Sequence, residues 1–384
     1  MRHLTTSYPL LKIVTTFLFL LAGTGIVLSI SDRPKPAHVA NFDKGIEAAI
    51  SGDFVTTLKE LVPLAEQGHE SAQYILGLNY LHGQGVVQDH KEAVKWFRLS
   101  AEQGDPDAQA ALSDAFYFGE GVKRDLGEAF YWASLAAEQG VEEAQFSLAF
   151  MYENGEGIPK NKVAALKWYR LAAENGNVKS QYILSVIYNL GKGVPRDSKE
   201  ALHWLRMAVD KGFPDAQFFL AWMYRKGFGL SKDLSEAIRY YKLAASQGHE
   251  IAQLNLGLMF FYGHGTHQDN TESLKWFRAA AAQVNPRAQY YLALLYHDGA
   301  GVRRDLMRAY ICLSQAASNG EARAFALLET IEIEMEETTL IQARKLGKSS
   351  IDYCSTFYPF DVMEAKGAPI FNRISELTKS YSSV

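Results

Sequence analysis

The sequence predicts an all-α protein, a solenoid of stacked helix hairpins, and three observations carry that prediction. Gly83, Gly119, Gly155, Gly191, Gly227, Gly263 and Gly299 recur every 36 residues without a slip, each followed two residues later by a second glycine. Before each pair, apolar residues recur at i, i+4 and i+8, the spacing of one helix face: Ala72/Leu76/Tyr80, Ala108/Leu112/Phe116, Ala144/Leu148/Tyr152 and Ala216/Leu220/Tyr224. After each pair a second pattern follows, Ala93/Trp96, Ala129/Trp132, Ala165/Trp168 and Ala201/Trp204. Self-similarity at one fixed period means that each unit is a supersecondary element whose apolar face is covered by stacking on its neighbours.

Each part of the unit has a local cause. Beside every leucine of the first helix stands a small residue (Gly77, Ser113, Ala149, Ser185, Ala221, Gly257, Ala293), as expected where two helices approach closely. The first glycine of each pair ends that helix in a left-handed cap, and the second lets the chain turn back. Asp89, Asp125, Asn161, Asp197, Asp233, Asp269 and Asp305 then stand where an acceptor caps the second helix. The second helix closes on Gly104, Gly140, Gly176, Gly212, Gly248 and Gly320, with Val284 as the exception.

Together these residues read A-x-x-x-L-G-x-x-Y-x-x-G-x-G-V, with A-x-x-W and a closing glycine downstream. That pattern resembles the Sel1-like repeat family, relatives of the tetratricopeptide repeat, in seven full copies. Departures are few: Tyr240 and Cys312 stand in place of the tryptophan, Phe116 and Phe260 in place of the tyrosine, and Ser180 in place of the first alanine. The resemblance implies a right-handed α-solenoid of paired antiparallel helices and a role in mediating protein complexes.

On this reading the chain divides into an export signal or N-terminal membrane anchor (1–31), a linker (32–41), a capping hairpin (42–71), seven repeats (72–323), C-terminal capping helices (324–348) and an aromatic tail (349–384). The last capping helix is expected near Glu334 to Lys348. Arg2 and Lys12 precede an uncharged apolar run, Ile13 to Ile30, with no acidic residue before Asp32. Cleavage and retention both remain open, and either places the repeats across the membrane, periplasmic, secreted or anchored outside the cytoplasm. The tail carries Tyr353, Phe357, Tyr358, Phe360 and Phe371 and is expected to pack in part on the last repeat.

Composition narrows the function. The formal charge is −4 with no basic excess, so nucleic acid drops out as a partner class. Only two cysteines occur, Cys312 at a core position and Cys354 in the tail; a bridge between them and two unpaired thiols are both open. The seven G-x-G elements follow no strand, so no nucleotide site is expected. His264, His267 and Asp269 form the one metal-like local cluster, and they fall in a turn where solvated side chains explain them. No cofactor, metal or catalytic residue is expected. The enzymatic alternative is a β-lactam or cell-wall-directed hydrolase of the cysteine-rich relatives, against which stand the absence of repeated cysteine pairs and of Ser-x-x-Lys.

The reading is therefore a non-catalytic scaffold that binds other proteins on its concave face, touching a membrane only through the N-terminal segment. By analogy with tetratricopeptide grooves, the first helix of each unit lines that face. Tyr74, Phe146, Tyr182, Phe218 and Tyr290 recur and are expected to be structural. The next position varies (Leu78, Asp114, Phe150, Val186, Trp222, Leu258, Leu294), and variation in a repeat suggests exposure. The candidate partner-binding residues are Tyr117, Phe118, Phe150, Trp222, Arg225, Lys226, Leu258, Phe261 and Tyr262.

Overall fold

Every helix of the seven repeats begins and ends where the pattern requires. The computed structural model describes residues 40–347 and 352–355. The expected export segment and the tail aromatics Phe357, Tyr358, Phe360 and Phe371 lie outside the described residues. Within them the chain is all-α: eighteen helices of ten or more residues and one final turn of helix.

The chain forms two compact units, Met1–Arg196 and Asp197–Val384. In the first, α1 (Phe42–Ser51) and α2 (Phe54–Glu66) make the capping hairpin. The repeat hairpins follow: α3 (Glu70–His82) with α4 (His90–Ala101), α5 (Pro106–Phe118) with α6 (Leu126–Glu138), and α7 (Glu142–Asn154) with α8 (Lys162–Glu174). The unit ends on α9 (Val178–Leu190). The second unit begins with α10 (Ser198–Asp210). It continues through α11 (Pro214–Lys226), α12 (Leu234–Ser246), α13 (Glu250–Tyr262), α14 (Asn270–Ala282), α15 (Pro286–Asp298) and α16 (Leu306–Ser318). Its cap is α17 (Arg323–Glu334), α18 (Glu337–Gly347) and the short α19 (Asp352–Ser355). In the first unit each helix packs on the next, as it does from α10 to α17 in the second, which makes each a run of α-solenoid; α18 packs back on α16.

The turns behave as their residues dictate, with one addition. Gly83 ends α3 at φ 69° and its N–H donates to Asn79 O. The second glycine of a pair does more than turn the chain. At Gly121 a Cβ would lie 2.0 Å from His90 O, so the second glycine lets the loop press against the start of the preceding second helix. Asp89 then accepts from Lys91 N and Glu92 N to cap α4, and Asp125, Asn161, Asp197, Asp233 and Asp269 do the same for their helices.

The core is built from paired volumes. Within each unit, opposite the small residue of a first helix stands the residue after the tryptophan position in the second: Phe97, Ala133, Tyr169, Tyr241, Phe277 and Leu313, all buried. A Cβ on Gly77 would lie 2.6 Å from the Phe97 ring, and one on Gly257 would lie 2.6 Å from that of Phe277. Tyr169 and Tyr241 are matched by Ala149 and Ala221. Ala133 is matched by Ser113, whose hydroxyl donates to Ala129 O at 2.8 Å. The tryptophans lie further out. Trp132, Trp204 and Trp276 each donate their indole N–H to the glutamate one turn earlier, at 3.1, 3.0 and 3.0 Å.

A polar ladder ties hairpin to hairpin. Gln73, Gln109, Gln145, Gln181, Gln217, Gln253 and Gln289 are all buried, 36 residues apart. Gln73, Gln109, Gln145, Gln181 and Gln253 donate to a carbonyl near the C-terminus of the preceding second helix, at 3.0 to 3.2 Å. Each of those carbonyls also accepts the N–H of the glycine that closes its helix, so the amide takes the oxygen's second lone pair at a helix end. The end of the second helix of the same hairpin adds a further bond: Gln103 donates to Gln73, Gln139 to Gln109, Gln247 to Gln217 and Gln283 to Gln253, at 2.7 to 2.8 Å.

Two features close the C-terminal end. Helices α17 and α18, broken at Met335, occupy the region of the expected capping helices, and α18 lies where the last of them was expected, near Glu334 to Lys348. The open question of the cysteines is settled as a bridge: Cys312 and Cys354 form a disulfide with Cα atoms 5.1 Å apart. It fixes α19 beside α14 and α16.

Candidate functional site

The last turn of each first helix is where the repeat rule loosens, because the core takes only one side of it. Phe118 is 64% exposed, Tyr262 44% and Phe150 37%, so three of the candidate contact residues present aromatic rings to solvent. Tyr117 lies half-buried beneath Phe118, ring edge to face at 4.9 Å, and its hydroxyl donates to Glu156 Oε2 of the next hairpin at 2.7 Å. That bond and burial together hold the Tyr117 phenol above its ordinary pKa.

In the first unit these side chains share one surface. Lys179 places its Nζ 5.6 Å from the Phe146 ring centroid, across two successive first helices. Asp114, on the preceding first helix α5, is exposed yet lies within the electrostatic reach of Glu143 and Lys179. Burial pushes its carboxyl up to about 6, with Glu120 and Glu143 adding to the shift and Lys179 opposing it. The surface therefore carries aromatic rings, one carboxyl poised near neutrality and a cation.

The second unit is arranged differently. Trp222 is half-buried, stacked on Phe219 at 5.8 Å and 12° and tilted against Phe228 at 5.6 Å. Arg225 is half-buried and Lys226 exposed. Leu258 and Phe261 are partly buried against the core, and Phe261 contacts Phe277 and Tyr291 at 6.1 and 5.6 Å, so both act mainly in packing between hairpins. Tyr262 reaches Tyr291, hydroxyl to hydroxyl, at 3.2 Å. Arg323 lies 4.5 Å over Tyr290 and 5.4 Å over Tyr291.

The expected structural set is embedded: Tyr74 and Tyr290 are buried, and Phe146 and Phe218 pack on Tyr169 and Tyr241 at 6.0 and 5.8 Å. Exposure at the variable position does not hold throughout. Leu78 and Leu294 are buried at 7% and 5%, because the end hairpins bury more of the first helix. Among the described residues no cluster of His, Cys, Asp and Glu could hold a metal. His264 and His267 are exposed, and His264 stacks on Tyr262 at 5.5 Å. Among the described residues no helix is long and apolar enough to cross a membrane.

Sequence reasoning missed the buried glutamine ladder and the buried residue after each tryptophan position. The glutamines were visible as an invariant neighbour of the first-helix alanine. The second set was not, since its members share no chemistry.

Comparison with known proteins agrees with this architecture. A family model for the Sel1 repeat matches residues 70–105, 106–141, 142–177, 178–213, 214–249, 251–285 and 286–321. No curated protein matches the chain. Among solved structures, it is similar to c5321, a protective antigen present in uropathogenic Escherichia coli strains that displays an SLR fold. The identity is 33% and the TM-score 0.64, over 81% of this chain and 72% of that one. A Sel1 repeat protein from Oxalobacter formigenes is 31% identical with a TM-score of 0.61, over 74% of this chain and 81% of its own. Sel1 repeats generally mediate protein–protein interaction. With its hairpins, glycine pairs and core positions all in the register of the matched repeats, the chain belongs to the Sel1 repeat family.

Proposed function

We propose that the chain is a non-catalytic scaffold, exported from the cytoplasm, that holds a partner polypeptide on the surface presented by its first helices. The observation that carries this reading is the set of exposed aromatic rings at the ends of those helices, Phe118, Phe150 and Tyr262, which serve no core position. Aromatic side chains on a repeated helical face suit an extended or helical segment, each ring supplying contact area at low entropic cost. The resemblance to tetratricopeptide grooves would make this face concave.

Export rests on separate support. The charged start and apolar run of residues 1–31 read as a signal or anchor, and the Cys312–Cys354 bridge suits an oxidising compartment. The relative c5321 is a protective antigen, which is in keeping with a protein met outside the cytoplasm. Nothing observed favours the hydrolase alternative.

Two measurements test the reading. Affinity capture with residues 32–384 as bait is compared with a Phe118→Ser/Phe150→Ser/Tyr262→Ser bait of equal melting temperature. A partner retained by the first and lost by the second supports the surface, and equal recovery overturns it. An alkaline phosphatase fusion after Val384 should be active only if the chain crosses the membrane, and an inactive, stably expressed fusion would remove export.

A further inference from the structure

The repeats act as internal controls for one another, and one position breaks their pattern. In the third repeat Tyr169 of α8 is fully buried and its hydroxyl donates to Glu153 Oε2, in the last turn of α7, at 2.8 Å. Two periods further on, Tyr241 occupies the position of Tyr169 and Arg225 that of Glu153. The rings sit alike: Tyr169 packs on Phe146 at 6.0 Å and 53°, Tyr241 on Phe218 at 5.8 Å and 47°. The phenol is thus delivered to the same place under the first helix, but the carboxylate that receives it has been replaced by a guanidinium.

The replacement leaves the pair without a carboxylate. Tyr241 Oη and Arg225 Nε are both buried, and the guanidinium stands beside the phenol and interacts with its oxygen, but both groups arrive as donors and neither atom has a carboxylate partner. Buried donors are almost always paired, because leaving one unmade forfeits its hydration with no return. Around them the surface is cationic and aromatic: Lys226 is exposed, and Trp222, one turn before Arg225, stacks in parallel on Phe219. The missing element is an acceptor with negative charge.

We propose that Arg225, backed by Tyr241, anchors the carboxylate of an acidic residue in a partner polypeptide, which takes the place that Glu153 fills in the third repeat. The planar guanidinium receives a carboxylate through two parallel N–H bonds, a match a lysine lacks. The Trp222–Phe219 stack supplies the platform for the partner's neighbouring side chain, and Lys226 adds to the field that draws it in. The proposal rests on the first-helix face being an interaction surface, and it names the partner chemistry there: an acidic segment with an apolar or aromatic neighbour.

The test uses the repeat itself as designer. Arg225→Glu recreates the tyrosine–glutamate pair, so it should melt at or above the parent temperature while abolishing carboxylate capture. The probe is acetyl-Phe-Glu-Glu-Phe-amide beside its isostere acetyl-Phe-Gln-Gln-Phe-amide, followed through the Arg225 Nε–H resonance in the full chain. The expected result is a saturable shift with the glutamate peptide. Binding should be at least tenfold weaker for the glutamine peptide and for Arg225→Glu. An unmoved Arg225 resonance, or equal affinity for both peptides, overturns the anchor. A marked drop in the melting temperature of Arg225→Glu also overturns it, since the pair would then not form. Equal affinity that is lost in the Phe118→Ser/Phe150→Ser/Tyr262→Ser variant would sink the carboxylate anchor alone and leave the interaction surface standing.

Discussion

The two ends of the chain close their exposed cores by different chemistry. At the N-terminal end, α2 buries Thr57, Leu58, Glu60, Leu61 and Ala65, a full helix stripe, and the cap is in effect another hairpin. Its one buried charge, Glu60, is held by Lys44 Nζ at 2.7 Å and by Asn41 N–H at 3.1 Å. At the C-terminal end, α17 buries only Ala324 and Ile331 and α18 only Ala343. Charged pairs at the surface, Arg304 with Glu334 and Arg344 with Glu332, add little in water. The disulfide to α19 supplies what the thin apolar face does not. A cap that imitates the repeat inherits its burial, and one that departs from it needs a covalent tie.

The largest expected effect follows from that difference. Replacing Cys312 and Cys354 by alanine, which opens a loop with a sequence separation of 42, should cost the C-terminal unit roughly 3 to 4 kcal/mol. Amide hydrogen exchange should show α16 to α18 losing protection while α1 to α4 keep theirs. Equal loss at both ends would break the comparison and show that the units unfold as one.

Next come the tight contacts of the interior. Gly77→Ala and Gly257→Ala each drive a methyl into a buried phenylalanine ring and should destabilise by about 1 to 3 kcal/mol, reduced by the better helix propensity of alanine. The two values should agree within error in denaturant titrations. A large difference would mean that the contrast between the ends extends into the repeats.

A smaller change has the opposite sign. Val284 is a β-branched residue at φ 66°, where the corresponding position elsewhere is glycine. Val284→Gly should raise stability by about 1 kcal/mol, since an L side chain in the left-handed region costs about that much. An unchanged melt would show that the valine side chain contributes packing that offsets its backbone strain.

The smallest effects separate the two caps by pH and salt. Lys44→Ala leaves Glu60 with one partner fewer and should cost about 1 kcal/mol, softened because half of Lys44 faces solvent. His297 is held above its ordinary pKa by its hydrogen bond to Asp298, with burial opposing and Glu334 assisting. A histidine whose folded pKa exceeds its unfolded value gives stability that is complete below about 6.5 and is lost as pH rises through the folded value. The C-terminal cap should therefore loosen as pH rises above about 6.5 and through the raised folded value, and His297→Gln should flatten that dependence. A pH response confined to the N-terminal cap would refute the assignment.

The helices, their ends and their pairing were legible before any coordinates, because each is specified locally. Left-handed caps need glycine, second-helix caps need Asp89 and its counterparts, and the i, i+4, i+8 alanine, leucine and aromatic positions mark one face. The candidate surface was legible only in part. Phe118, Phe150 and Tyr262 stand exposed as their position suggests, while Leu258 and Phe261 turn inward to pack, and Leu78 and Leu294 are covered at the ends.

What the sequence by itself determined is the repeating backbone, since a fixed period of local signals needs no knowledge of what lies across the core. What only the tertiary structure decided are the matches between distant side chains. Phe97 over Gly77 and Tyr169 over Ala149 share no residue type, because close packing conserves the summed volume of a pair rather than either member. The same holds for the joining of Cys312 to Cys354 and for the lost partner of Tyr241. Each depends on which atoms meet in space, and the one-dimensional pattern does not record that meeting.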